Sequence, residues 1–112
     1  MERELRRGTL EMLLLRLLDE ADRYGYEMVA ELDRRSQGRM AVKDGTLYPV
    51  LYRLEEAGKV GPYWQQAEGR GVPRKYYRIT EAGREELERS LEEWFAFVET
   101  VALILRPTEG RS

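Results

Sequence analysis

Apolar residues recur along this chain with helical spacing, give way to two short aromatic and β-branched runs, and return to helical spacing at the end. Leu10, Leu13, Leu14, Leu17 and Leu18 fall at i, i+3, i+4, i+7 and i+8, which predicts a first helix from Gly8 to Ala21. Met12 and Leu15 lie off that stripe. This helix is therefore apolar on more than one face and is expected to pack on its own domain and on a second body. Residues 1–7 read as a charged lead-in, helical or frayed. Asp22-Arg23-Tyr24-Gly25 reads as a turn, and Tyr26 to Arg35 as a second helix with Met28, Val29 and Leu32 inward. Ser36-Gln37-Gly38 ends it, and Met40-Ala41-Val42 reads as a short edge strand.

The next stretch, Lys43 to Gly58, organises the rest. Leu47, Val50, Leu51 and Leu54 form one apolar stripe, and a turn of about 100° per residue places Gly45, Pro49, Tyr52 and Arg53 opposite, with Thr46 and Tyr48 on the flanks. Pro49 requires the helix to start close by, between Asp44 and Thr46, either of which can cap it, and Gly58 is a natural stop. An outward face of glycine, hydroxyls and one arginine suits a helix pressed against a polar, negatively charged surface such as the DNA major groove. The alternative is a core helix buried on both sides.

Val60 to Gln65 and Lys75 to Thr80 then read as two strands around a Gly/Pro-punctuated loop, residues 67–74, whose basic tip includes Arg70 and Arg74. Pro62 fits only near a strand start or on an edge. In an alternating strand, either Tyr76 or Tyr77 must face the core. Thr80 caps a last helix in which Leu87, Leu91, Trp94, Val98, Val101 and Leu105 repeat with 4-3-4-3-4 spacing, a seam widened by Phe95, Phe97, Ala102, Leu103 and Ile104. So much apolar surface predicts a two-fold dimer, this helix packing on its mate and on the partner's first helix through Leu10 and Leu14. The fold class expected is mainly α with a small β-hairpin (α+β). It is a winged helix-turn-helix over residues 1–80, a dimerisation helix over 81–106 and a disordered tail over 107–112.

Composition narrows the chemistry. The 112 residues contain no cysteine and no histidine, which removes thiol and imidazole catalysis, disulfides and nearly all zinc or iron sites. No enzyme, metal or cofactor is expected. With no signal-peptide layout and no long apolar run, a soluble cytoplasmic protein is expected. The net charge is −2, yet residues 34–78 hold ten basic and four acidic side chains between two acidic flanks. A basic middle in a charge-segregated chain is the footprint of a phosphate-binding face, so Lys43 and the 34–43 cluster join Arg70, Arg74 and Lys75 as candidate phosphate contacts.

Four blocks carry a resemblance: G-T-L from Gly8, Y-G-Y-E from Tyr24, G-T-L-Y-P-V-L-Y-R-L-E-E-A-G from Gly45, and R-K-Y-Y-R-I-T-E-A-G-R from Arg74. In these the chain resembles the short members of the PadR family of bacterial transcriptional regulators. The resemblance implies a homodimer that binds a palindromic operator in double-stranded DNA, usually represses, and releases DNA when a small effector binds. It places Thr46, Tyr48, Pro49 and Arg53 in the recognition-helix block and Arg74, Lys75 and Tyr76 in the wing block. Some members of that family grip flat apolar compounds at the dimer centre with a tryptophan of the last helix. Trp94 stands where that residue would, with Phe95, Phe97 and Val98 to line the cavity; the competing reading is that Trp94 simply fills the dimer core.

The expected mechanism sends two central helices into successive major grooves about 34 Å apart, with an effector between the last helices shifting that spacing. Two rivals remain, a winged-helix protein-interaction module and a drug-sequestering protein without operator binding.

Overall fold

The computed structural model describes the backbone of residues 2–66 and 71–108 and the side chains of 8–66 and 71–108. The elements run α1 (Glu2–Glu20), β1 (Arg23–Tyr24), α2 (Gly25–Arg35), α3 (Asp44–Glu56), β2 (Val60–Gln65), β3 (Arg74–Ile79) and α4 (Glu81–Leu105). Arg70 and residues 109–112 of the expected tail lie outside the described residues; Pro107 and Thr108 are exposed coil.

Helices α1, α2 and α3 and one sheet face close a single core. Leu14, Leu15, Leu17 and Leu18 of α1, Met28 and Leu32 of α2, the α3 stripe, and Val60, Tyr77 and Ile79 of the sheet are all buried. Each fully buried leucine is worth roughly 1.5–3 kcal/mol, so the dense stripe on α1 makes that helix the centre of the fold. Helices α1, α2 and α3 followed by the β2–β3 hairpin make a winged helix-turn-helix.

Two connections differ from the sequence expectation. Arg23-Tyr24, read as a turn, is a short strand that pairs antiparallel with β3 (Arg23 with Tyr77, Tyr24 with Tyr76), so the hairpin becomes a three-stranded sheet in the order β1-β3-β2. Met40-Ala41-Val42, read as an edge strand, forms no ladder. Met40 and Val42 instead drop half-buried against the core, and the Ser36 hydroxyl takes up the Met40 N–H at 2.8 Å.

The C-terminal ends of α2 and α3 close in the same way. After α3, Gly58 takes φ +75 while its N–H donates to Glu55 and that of Lys59 to Leu54. After α2, the N–H groups of Gln37 and Gly38 donate to Arg34 and Asp33, with Gln37 in the left-handed region at φ 56.

Thr80 caps α4 as expected, its hydroxyl accepting from the Gly83 N–H at 3.1 Å and donating to the Gly58 carbonyl at 2.6 Å. Gly83 lies flat on the α3–β2 turn: a Cβ there would come within 2.7 Å of the Ile79 side chain and collide with the Lys59 carbonyl. Lys59 and Glu86 pair at 3.0 Å beside it. Leu10, Leu14 and Leu87, expected at a dimer interface, lie inside this chain's own core, at most 6% exposed. Leu91 is half-buried against the same core. Beyond it, Trp94, Phe95, Phe97, Val98, Leu103, Ile104 and Leu105 are exposed, from 36% at Trp94 to 76% at Ile104.

Candidate nucleic-acid interface

Helix α3 begins at Asp44 after Lys43, which is extended and provides no side-chain cap, so neither Asp44 nor Thr46 serves as the N-cap. Gly45, Thr46 and Pro49 are exposed, as is Tyr52 at 54%. Nothing approaches the Cβ position of Gly45, which leaves this end of the helix low and open. Pro49, inside the helix, has no N–H to give to the Gly45 carbonyl four residues back.

Two residues expected to point outward are held inward. Tyr48 is half-buried and lies against Gly25 at the start of α2; burial raises the pKa of its phenol. Arg53 turns to α1, where its Nε donates to Glu11 Oε1 at 3.4 Å, and one terminal nitrogen is buried without a partner. Arg53 therefore braces α1 against α3 on the flank of the exposed face.

The alternation along β3 settles the tyrosine question. Tyr77 is fully buried and Tyr76 stands on the other face, stacked with Tyr63 at 5.8 Å and edge-on to Tyr24 at 5.3 Å. Lys75 shares the face of Tyr77 and so turns toward α3, where its ammonium lies 5.6 Å from the Tyr52 ring centre. Arg74 shares the face of Tyr76, its guanidinium 4.7 Å above the Tyr24 ring. The two wing cations thus occupy opposite sheet faces: Lys75 joins the α3 surface and Arg74 the tyrosine cluster. That cluster is tied to the α1–α2 connection by Tyr63, whose hydroxyl donates to Asp22 at 2.6 Å, and this bond pushes the Tyr63 pKa up to about 12.

The remaining cations divide by pairing. Arg34 and Arg35, counted among the candidate phosphate contacts, are engaged by Glu31 at 2.8 Å each, and Arg35 also reaches Glu20. Arg39, Lys43, Arg74, Lys75 and Arg78 form no ion pair with any described residue, so their charge is available to an anionic surface. Trp64 was not among the expected site residues, yet it is 68% exposed and pairs across the sheet with Lys75, on the face that turns toward α3. Its signal in the sequence was a large indole at an alternating position near the hairpin tip.

A separate open groove of about 370 Å³ runs between α1 and α4, lined by Glu11, Met12, Glu86, Ser90, Trp94 and Phe97 among others. Trp94 and Phe97 sit 6.3 Å apart there. The Phe95 and Val98 side chains are exposed and do not line it. Burial raises the pKa of Glu86, but hydrogen bonds from Lys59, Arg89 and Ser90 outweigh it and hold the carboxyl down at about 2.

The family model for the transcriptional regulator PadR-like family matches residues 14–89. An uncharacterized protein of Lysinibacillus sphaericus is 38% identical over 103 residues, covering 92% of this chain and 94% of the relative. A transcriptional regulator of Mycobacterium tuberculosis, Rv3488, is 35% identical over 94 residues, covering 81% and 83% of the two chains. The crystal structure of a PadR family transcriptional regulator from Eggerthella lenta superposes with a TM-score of 0.80 at 37% identity, covering 96% of this chain and 91% of that one. The chain belongs to the transcriptional regulator PadR-like family and is a DNA-binding regulator of transcription, not an enzyme.

Proposed function

We propose that the chain works as a homodimer on a palindromic operator in double-stranded DNA, most simply as a repressor. The observation that carries this reading is the contact between Lys75 of the wing and Tyr52 of α3, which joins a cation without an ion-pair partner among the described residues to the exposed helix face as one surface. In this reading Gly45, Thr46, Pro49 and Tyr52 meet base edges and the groove wall, while Lys43, Lys75 and Arg74 neutralise phosphates. Trp64 lies against the sugar-phosphate edge beside Lys75. Tyr48, Tyr76 and Arg53 act behind that surface by holding it in shape.

The dimer rests on α4. Its exposed run from Trp94 to Leu105 is the kind of contiguous apolar patch that soluble chains cover with a partner, and a two-fold axis covers it on both copies at once. The groove beside Trp94 supports a second part of the proposal. A planar effector stacking there would alter the seating of α4 and thus the spacing of the two α3 helices.

Binding to a labelled duplex from upstream of the protein's own gene, followed by anisotropy across a salt series, tests the reading. Lys75→Ala is expected to weaken binding to every sequence and reduce the salt slope by about one. Thr46→Ala is expected to change which sequences are preferred. Absence of binding at low salt would favour a protein-interaction module, or sequestration if planar dyes still quench Trp94. Identical behaviour of the two variants would remove the division of roles.

A further inference from the structure

The Tyr24-Gly25-Tyr26-Glu27 block has no part in the surface just described, yet both halves of that surface converge on it. We infer that this turn is a positioning element that sets the recognition helix and the wing relative to each other, Gly25 by seating Tyr48 and Tyr24 by holding Arg74. The inference rests on the reading of α3 and β3 as the DNA-contacting elements.

The turn is fixed at both ends. Tyr24 pairs with Tyr76 in the sheet, and its N–H donates to the Glu27 carboxylate at 3.2 Å, which locks the change from strand to helix. Gly25 is not in the left-handed region; among the described residues only Gln37, Gly38 and Gly58 have positive φ. Its backbone therefore has no need of glycine, but the space around it does. A Cβ at this position would come within 2.9 Å of Cζ of Tyr48 and collide with the hydroxyl. The clash is relieved when the ring swings away from α2. Tyr52 lies 6.0 Å from Tyr48 on the same helix, and Lys75 rests on Tyr52. A methyl group at position 25 is thus relayed through two rings to a wing cation. On the opposite sheet face, Tyr24 supplies the π-surface beneath Arg74 at 4.7 Å. One turn thereby places a cation on each side of the wing.

The test is a double-mutant cycle with two readouts. Gly25→Ala is made in the parent and in Tyr48→Ala, and binding to a labelled duplex of mixed sequence is measured at low salt. A several-fold loss with Tyr48 present and almost none in its absence is the expected result; equal losses in both backgrounds overturn the role of Gly25. The second readout needs no DNA. Lys75 also lies 5.5 Å from the Tyr77 ring, so the share of its side-chain ring-current shift due to Tyr52 is taken as the difference between the parent and Tyr52→Leu. That share should collapse in Gly25→Ala, and its persistence likewise overturns the relay. A parent that fails to bind duplex DNA would sink the DNA-contact reading, while the proton shifts would still decide the positioning claim. Should circular dichroism show Gly25→Ala unfolded, Tyr24→Leu carries the decision: a salt slope reduced by about one is expected, and an unchanged slope refutes the inference.

Discussion

Arg53 sits where helical periodicity and three-dimensional neighbours disagree. Counting around α3 places it opposite the apolar stripe, but α1 crosses beside that flank and Glu11 reaches it. One helix's sequence reports which side is apolar and not which neighbour passes along the border. Tyr77 illustrates the converse. Alternation alone showed that one tyrosine of the pair must be buried, and only the sheet's docking selected Tyr77. Two residues support predictions of their own. Gln37 occupies a left-handed position that suits glycine, so Gln37→Gly is expected to raise stability by about 1 kcal/mol in urea unfolding. Glu86 has its folded pKa depressed from 4.5 to about 2, so its contribution is complete above 4.5 and lost as pH falls through about 2. Glu86→Gln should therefore lower stability by about 1 kcal/mol near pH 7. That difference should shrink as pH falls below 4.5 and vanish only in unfolding curves taken below about pH 2.

Most elements were legible because their periodicity was strong. The α3 stripe, the Thr80 cap and the hairpin strands stand within a residue of their expected places. The connections were harder. Arg23-Tyr24 becomes a strand only because β3 lies alongside, a pairing across more than fifty residues that no local pattern encodes. Met40-Ala41-Val42 has the right residues for a strand and no neighbour to pair with. For the wing, Trp64→Ala is expected to weaken duplex binding several-fold without changing the salt slope, because an indole carries no charge. Stopped-flow quenching of Trp64 by added DNA in a Trp94→Phe background checks the same contact. A reduced slope or unquenched emission would assign Trp64 elsewhere.

For the whole molecule, the acidic overall balance conceals Arg39, Lys43, Arg74, Lys75 and Arg78, which pair with no acidic side chain among the described residues. The basic middle segment of the sequence contained all five but could not separate them from the paired Arg34 and Arg35. The far half of α4 extends a chain that measures 69 × 29 × 24 Å, and its apolar face is exposed in the single copy. The seam over residues 87–105 was legible, but its division was not. Its first half serves the chain's own core, because Gly83 lets α4 settle closely against the α3–β2 turn. Val98→Glu is accordingly expected to yield a folded monomer in sedimentation equilibrium, since Val98 is exposed and contributes nothing to the inner core. The most direct measurement is a hydroxyl-radical footprint of the parent protein on the DNA upstream of its gene. Two protected patches on one face of the duplex, about 10–10.5 base pairs apart centre to centre, are the result predicted for paired α3 helices and wings. A single patch, or uniform cleavage at protein concentrations that retard the same DNA, would contradict it.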